Sequence, residues 1–282
     1  MGSGYKTIGR VRRALEANEL NLSKGARVGV EFYNEFQEKM SRREVEMIHK
    51  LVTKATRKYF PDAEILLMGS YRRGKLQCGD ADILITHKKY TETVPSGALD
   101  EIVERLKNTG KISHHLTEVE TRFFRDMPSQ SEDVHLPSTF LPYVGSQMYM
   151  GVFNSPMIRG KHRRIDIKFY PYEEKVYSML YFTGNGYFNR SIRLYVQRCK
   201  GGKLNDHGFF LNRAGTGKRV KVKTEKEVFD KLGLVYKDPN ERDGFDAVIE
   251  KKTSEVFLVH GDLTSAEVAA EENIARQAKW VD

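Results

Sequence analysis

Apolar residues change their spacing several times along the chain, and each change predicts an element. Val11, Leu15 and Leu20, then Val28, Val30, Phe32 and Phe36, give short helices over residues 5–40. Ser41-Arg42-Arg43-Glu44 fits a capping box, after which Val45, Ile48, Val52, Ala55 and Tyr59 recur at helical spacing as far as Pro61. Ile65 to Met68 reads as a strand, the next residues as a Gly-rich turn, and Asp80 to Ile85 as a second strand. Leu99, Ile102, Val103 and Leu106 mark a helix closed by Gly110. Gln147 to Phe153 is a strand, Arg159 to Arg163 a basic turn, and Arg164 to Phe169 alternates as a half-buried strand does. Two helical stretches over residues 174–199 are split by Thr183-Gly184-Asn185-Gly186; Phe188, Ile192, Val196 and Cys199 form the buried stripe of the second. His207 to Val222 reads as a hairpin around Gly215-Thr216-Gly217, and Thr224 to Glu227 caps a helix ending near Gly233. Beyond it, Val256 to Val259 suits a strand, and Thr264 to Glu267 caps a helix running to Trp280. The pattern thus gives both strands and covering helices.

Composition narrows the picture. The 282 residues carry 47 Lys+Arg against 38 Asp+Glu, a net charge of +9, which favours a polyanion such as nucleic acid. Cys78 and Cys199 form neither a disulfide framework nor a zinc pattern, which points to a reducing compartment. No apolar run approaches the roughly 18 residues of a membrane span. The basic residues Arg10, Arg12, Arg13, Lys24 and Arg27 fit either a solvated helix surface or a DNA-backbone contact. Met1 to Gly4 reads as a vector-derived leader, and no signal peptide is visible.

The candidate chemistry lies in Gly69-Ser70-Tyr71-Arg72-Arg73-Gly74-Lys75-Leu76-Gln77-Cys78-Gly79-Asp80-Ala81-Asp82. Strand alternation puts Asp80 and Asp82 on one face, where two carboxylates repel each other unless a hard divalent cation lies between them. Glycines let backbone N–H groups approach a phosphate, and arginines bind its oxygens in pairs. Metal beside triphosphate is the setting of phosphoryl or nucleotidyl transfer. Asp166 shares the polar face of its strand with Arg164 and Lys168, so three carboxylates converge if the two strands are neighbours.

The 69–82 string resembles the nucleotidyltransferase signature in the form found in family X DNA polymerases. His162-Arg163-Arg164-Ile165-Asp166-Ile167 and Met179 to Gly184 followed by Phe188 to Arg193 are similar to that family too, and the likeness covers roughly residues 5–243. It implies an α+β fold: a nucleotidyltransferase palm with a mixed β-sheet flanked by helices, plus small helical DNA-binding and nucleotide-selection subdomains. The implied division is a helical DNA-binding segment at 1–43, the palm at 44–172, nucleotide selection at 173–243 and an extension at 244–282. Residues 121–147 resemble a loop insertion relative to polymerase β.

The resemblance also implies roles. Asp80, Asp82 and Asp166 would hold two Mg²⁺ ions, with Mn²⁺ as a substitute, and Asp166 would draw the proton from the primer 3′-hydroxyl beside Arg164. Gly69, Ser70, Arg73 and the backbone at Gly79 would hold the triphosphate, with Arg72 supporting packing or charge balance. Tyr181 and Phe182 would flank the sugar, Gly184 would carry their turn, and Asn189 would meet the minor-groove edge of the base. Lys24, Arg27, Arg190 and Arg193 would contact DNA. Gly186 departs from the family by lacking a side chain over the nucleotide. The implied enzyme is a DNA-directed DNA polymerase, a monomer that adds dNTPs to gapped or primer-template DNA in nuclear (or mitochondrial) repair. Lyase activity is not carried over, since the likeness starts after the helix-hairpin-helix. The rivals are a template-independent transferase and a non-catalytic DNA-end binder.

Overall fold

Capping residues set where the first helices begin. The structure, a computed structural model, describes residues 6–122 and 143–257. The Thr7 and Ser23 side chains accept hydrogen bonds from the amides of Arg10 and Ala26, starting α1 (Ile8–Glu16) and α2 (Lys24–Glu31). After α3 (Tyr33–Gln37) and β1 (Met40–Ser41), the Ser41 hydroxyl accepts from Glu44 N at 3.2 Å and starts α4 (Arg42–Arg57). Next come β2 (Glu64–Leu67), α5 (Gly69–Arg72), β3 (Gln77–Cys78), β4 (Asp80–Thr86), β5 (Val94–Pro95) and α6 (Ala98–Asn108). Then follow β6 (Ile112–His115), β7 (Glu120–Thr121), β8 (Tyr143–Val144), β9 (Gln147–Asn154), β10 (His162–Phe169) and α7 (Lys175–Thr183). These elements belong to one compact unit, Met1–Thr183.

Its main sheet runs in the order β2-β4-β10-β9-β6, with β7 pairing β9. Strands β4 and β10 are parallel and the other pairings are antiparallel, so the sheet is mixed. Alternation sorts the side chains. Ala81, Ile83 and Ile85 of β4 and Ile165, Ile167 and Phe169 of β10 enter a core with Val45, Ile48 and Val52 of α4 and Leu99, Ile102 and Leu106 of α6. Each buried aliphatic side chain contributes about 1.5–3 kcal/mol. A one-residue slip of either strand would turn its apolar set outward, so burial locks the register. On the opposite face Leu84, Met68 and Tyr170 pack with Met179 and Phe182 of α7, leaving Asp80, Asp82, Arg164, Asp166 and Lys168 beside them.

The second unit, Gly184–Asp282, holds α8 (Gly186–Cys199), β11 (Lys203–Asn205), β12 (Gly208–Phe210) and α9 (Glu225–Leu232). The Asn185 side chain caps α8 by accepting from Phe188 N at 3.0 Å. Arg242 is fully buried and donates to Glu225 at 2.7 Å, with its guanidinium over the rings of Phe188, Phe229 and Tyr236.

Several expectations need correction. Residues 69–72 form one helical turn, because Arg72 N and Arg73 N donate back to Met68 O and Gly69 O. Arg163 belongs to β10 and is buried against Glu44, where the basic run suggested a solvated turn. Tyr59 lies beyond α4 and is 41% exposed. Cys199 is exposed, and Tyr195 takes the buried place because α8 turns that face toward the core. The hairpin turns at Asp206-His207, where Asn205 accepts from two following amides, and Gly215 lies in the loop beyond. Val256 forms a single bridge to Ile249. Residues 126–138 and the helix expected to reach Trp280 lie outside the described residues. The two compact units meet between Thr183 and Gly184.

Glu44 and Arg163 carry a prediction. The pair is 4% and 3% exposed and joined at 2.9 Å and 3.3 Å. Glu44→Ala leaves a buried guanidinium uncompensated and should cost about 3–5 kcal/mol in urea unfolding. A loss within about 0.5 kcal/mol would show that the pair contributes nothing to holding α4 on β10.

Candidate active site

The turn after β2 is shaped around Asp82. Gly69 has φ +54°, and a Cβ there would lie 2.0 Å from Asp82 Oδ2, so both backbone conformation and space require glycine. Met68 N donates to Asp82 O at 2.9 Å, tying the start of α5 to β4. Arg42 braces the loop from the other side, donating to Tyr71 O at 2.8 Å and Lys75 O at 3.1 Å while its guanidinium lies over the Tyr71 ring. Ser70 hydrogen-bonds Cys78 across the loop, and a Cβ at Gly79 would meet open space. Arg73 donates to Thr183 O at 2.5 Å and Arg72 to the Thr183 hydroxyl, so both arginines hold the end of α7.

The parallel pairing of β4 and β10 sets Asp166 directly beside Asp82 and Arg164 beside Asp80. Arg164 donates to Asp80, and Lys168 Nζ lies 3.0 Å from Asp82 Oδ1 and 3.7 Å from Asp166 Oδ2. Lys168 is 5% exposed and Asp166 13%, whereas Asp80 and Asp82 keep about a fifth of their surface open. Burial pushes the Asp80 carboxyl up, and the charges of Asp82 and Asp166 push it further, to about 7 despite Arg164. Burial works to lower the Lys168 pKa, but Asp82 and Asp166 outweigh it and leave the ammonium above its ordinary value. Lys168 was missed as a site residue; its signal was its place two residues after Asp166 on the same strand face.

This donor set suits a hard divalent cation: three carboxylates, oxygen only, on adjacent strands with one open side. Among the described residues no three His, Cys, Asp or Glu side chains are already gathered around one point, since Arg164 and Lys168 draw the carboxylates to themselves. A cation at these residues would compete with the Arg164 and Lys168 contacts.

Tyr181 and Phe182 follow on α7. The Phe182 ring lies 4.7 Å from Lys168 Nζ and 5.4 Å from the Tyr170 ring, while Tyr181 meets Phe182 edge-on. Gly184 has φ +66°, the left-handed conformation expected of it. In the second unit Asn189 and Arg193 share a face of α8, and the Arg190 guanidinium covers the Tyr187 ring. Lys24 and Arg27 are exposed on α2, Arg27 also donating to Asn21 and to Leu22 O. The site thus brings together Gly69, Asp80, Asp82, Arg164, Asp166 and Lys168; Lys24 and Arg27 stand on the helical segment, outside that cluster.

Asp80 supplies a signed pH prediction. Its folded pKa lies above its unfolded one, so the contribution to stability is full below about pH 4 and is lost as pH rises toward 7. Asp80→Asn removes that loss. Without metal, it should raise the melting temperature at pH 8 more than at pH 6, by about 2–4 °C per kcal/mol recovered. Equal shifts at both pH values would contradict the crowding of charge.

Two family models match the chain in order: DNA polymerase beta palm over residues 39–172 and DNA polymerase beta thumb over residues 178–243. DNA polymerase lambda of Rattus norvegicus is 32% identical over 77% of this chain and 35% of that protein. DNA polymerase lambda of Arabidopsis thaliana is 30% identical over 85% of this chain and 42% of its own length. DNA nucleotidylexotransferase of Xenopus laevis is also 30% identical over 85% of the chain and 47% of that protein. The chain thus spans less than half the length of these relatives. Palm and thumb follow one another along the chain, the paired carboxylate strands lie inside the palm match, and on that ground the chain belongs to the family X DNA polymerases.

Proposed function

We propose that this chain catalyses template-directed addition of deoxynucleotides to a DNA 3′-end, filling short gaps during repair of nuclear DNA, and that it acts as a monomer. The observation that carries this reading is the register that sets Asp166 beside Asp82 and two residues from Asp80 across two parallel strands. Asp80, Asp82 and Asp166 would hold Mg²⁺, which would supply Lewis acidity at the attacking and leaving oxygens.

The chain's own residues do the rest. Asp166 accepts the proton of the primer 3′-hydroxyl, with Arg164 beside it positioning that end. Arg73, Ser70 and the amides around Gly79 bind the triphosphate; Arg73 exchanges its contact with Thr183 O for phosphate oxygens. Lys168 balances the charge of Asp82 and Asp166. Tyr181 and Phe182 line the sugar, Asn189 meets the base, and Arg190, Arg193, Lys24 and Arg27 meet DNA.

A second reading is untemplated tailing, because DNA nucleotidylexotransferases of Xenopus laevis and Eulemur macaco match as much of the chain as polymerase lambda does, at 30% and 29% identity. One assay separates the two: extension of a one-nucleotide-gapped duplex with each dNTP alone, beside an unpaired single strand. Extension only by the complementary dNTP supports the templated enzyme, and indiscriminate tailing of the single strand supports the rival. Asp166→Ala should lower the rate by about 10³-fold or more while nucleotide and DNA still bind. Near-normal extension by that variant would rule out the three-carboxylate site.

A further inference from the structure

Between Asp206 and Glu225 the chain holds Arg213, Lys218, Arg219, Lys221 and Lys223 and no aspartate or glutamate. The stretch runs from β12 to the start of α9 and is tied down at several points. Asn212 accepts from Thr216 N at 3.0 Å and donates to Thr216 O at 2.9 Å. Gly215 has φ +70°, and a Cβ there would lie 2.5 Å from the Lys203 side chain, so the turn is built for glycine. Val220 N donates to Phe209 O at 2.9 Å, and the stem of Arg219 fills the space over Gly208.

Beyond that anchor, half-buried Val220 and Val222 alternate with exposed Lys221 and Lys223. Lys221 and Lys223 stand two residues apart, roughly 6.6 Å along an extended chain. Arg213 and Lys218 are exposed nearby in sequence, and none of these four cations has an ion-pair partner among the described residues. Glu227 accepts from Lys223 N at 2.8 Å, so an acid stands at one end of the strip; the like charges along the rest of it oppose folding, and a polyanion relieves that cost. The loop has no aromatic side chain, and Phe209 and Phe210 are 4% exposed, so no base can stack here. Binders of single strands combine cations with such stacking platforms, whereas backbone contacts to a duplex need cations alone.

We propose that the 213–223 strip is a further contact for the phosphate backbone of duplex DNA, made without reading sequence. It rests on the polymerase reading above and adds a surface that neither the signature strings nor the catalytic face includes.

The test titrates salt from about 50 to 200 mM for full-chain binding to a labelled duplex and to a single strand of equal length. The variant is Lys218→Gln/Lys221→Gln/Lys223→Gln, with Lys→Arg at the same positions as the charge-preserving control. On duplex, the slope of log K against log salt should become shallower by about 2.7 in the Gln variant and stay unchanged in the Arg control. An unchanged duplex slope in the Gln variant overturns the proposal, and so does a loss confined to single strands. Gap extension by the wild type is measured in the same samples. Extension with an unaltered slope removes only the strip, whereas absence of extension and of DNA binding in the wild type removes the polymerase reading.

Discussion

Everything at the catalytic face depends on one electrostatic constraint: three carboxylates forced together by the parallel pairing of β4 and β10. The register that buries Ile83 against Ile167 also sets Asp82 beside Asp166, so the repulsion cannot be relieved by sliding a strand without exposing the core. Arg164 and Lys168 offset it from within the same strand. The remaining strain shows in Asp80, whose proton is held to about 7 by burial and by its two neighbours. A divalent cation would resolve the same conflict, and the apolar core that fixes the register is what holds the three carboxylates together.

Parts of this were legible in the sequence because they are local. The Gly69 to Asp82 string, the capping serine at 41 and the alternation from Arg164 to Phe169 each need only a few consecutive residues to be read. The strand neighbours were not legible in that way. Nothing in 80–85 or 164–169 states that the two segments pair in parallel, and convergence of the carboxylates stayed conditional until the sheet order was known. Buried charge was hardest to read. Glu44 and Arg163 look like surface residues in a string, yet each is nearly sealed, because a long-range partner changes what burial costs. Lys168 and the grip of Arg72 and Arg73 on Thr183 were missed for the same reason. The Gly215 turn was misread as the tip of a hairpin because glycine marks many kinds of turn, and the chain had already reversed at Asp206.

These long-range contacts also join the turn after β2 to the end of α7. Arg73 holds the carbonyl of Thr183, and Phe182, one residue earlier, covers the ammonium that balances Asp82 and Asp166. A ligand that takes Arg73 and a cation that displaces Lys168 would thus both act on the last turn of α7, where Tyr181 and Phe182 stand. Within this unit, substrate charge and aromatic positioning are physically linked.

The central claim is that the β4–β10 register makes Asp80, Asp82 and Asp166 one cation site. Anomalous diffraction from crystals soaked with Mn²⁺ and a non-hydrolysable dNTP tests it most directly. The account predicts Mn²⁺ peaks bounded by all three carboxylates, with Lys168 Nζ moved away from Asp82. Peaks that leave out Asp166, or none at these residues while Lys168 keeps its contacts, would contradict it.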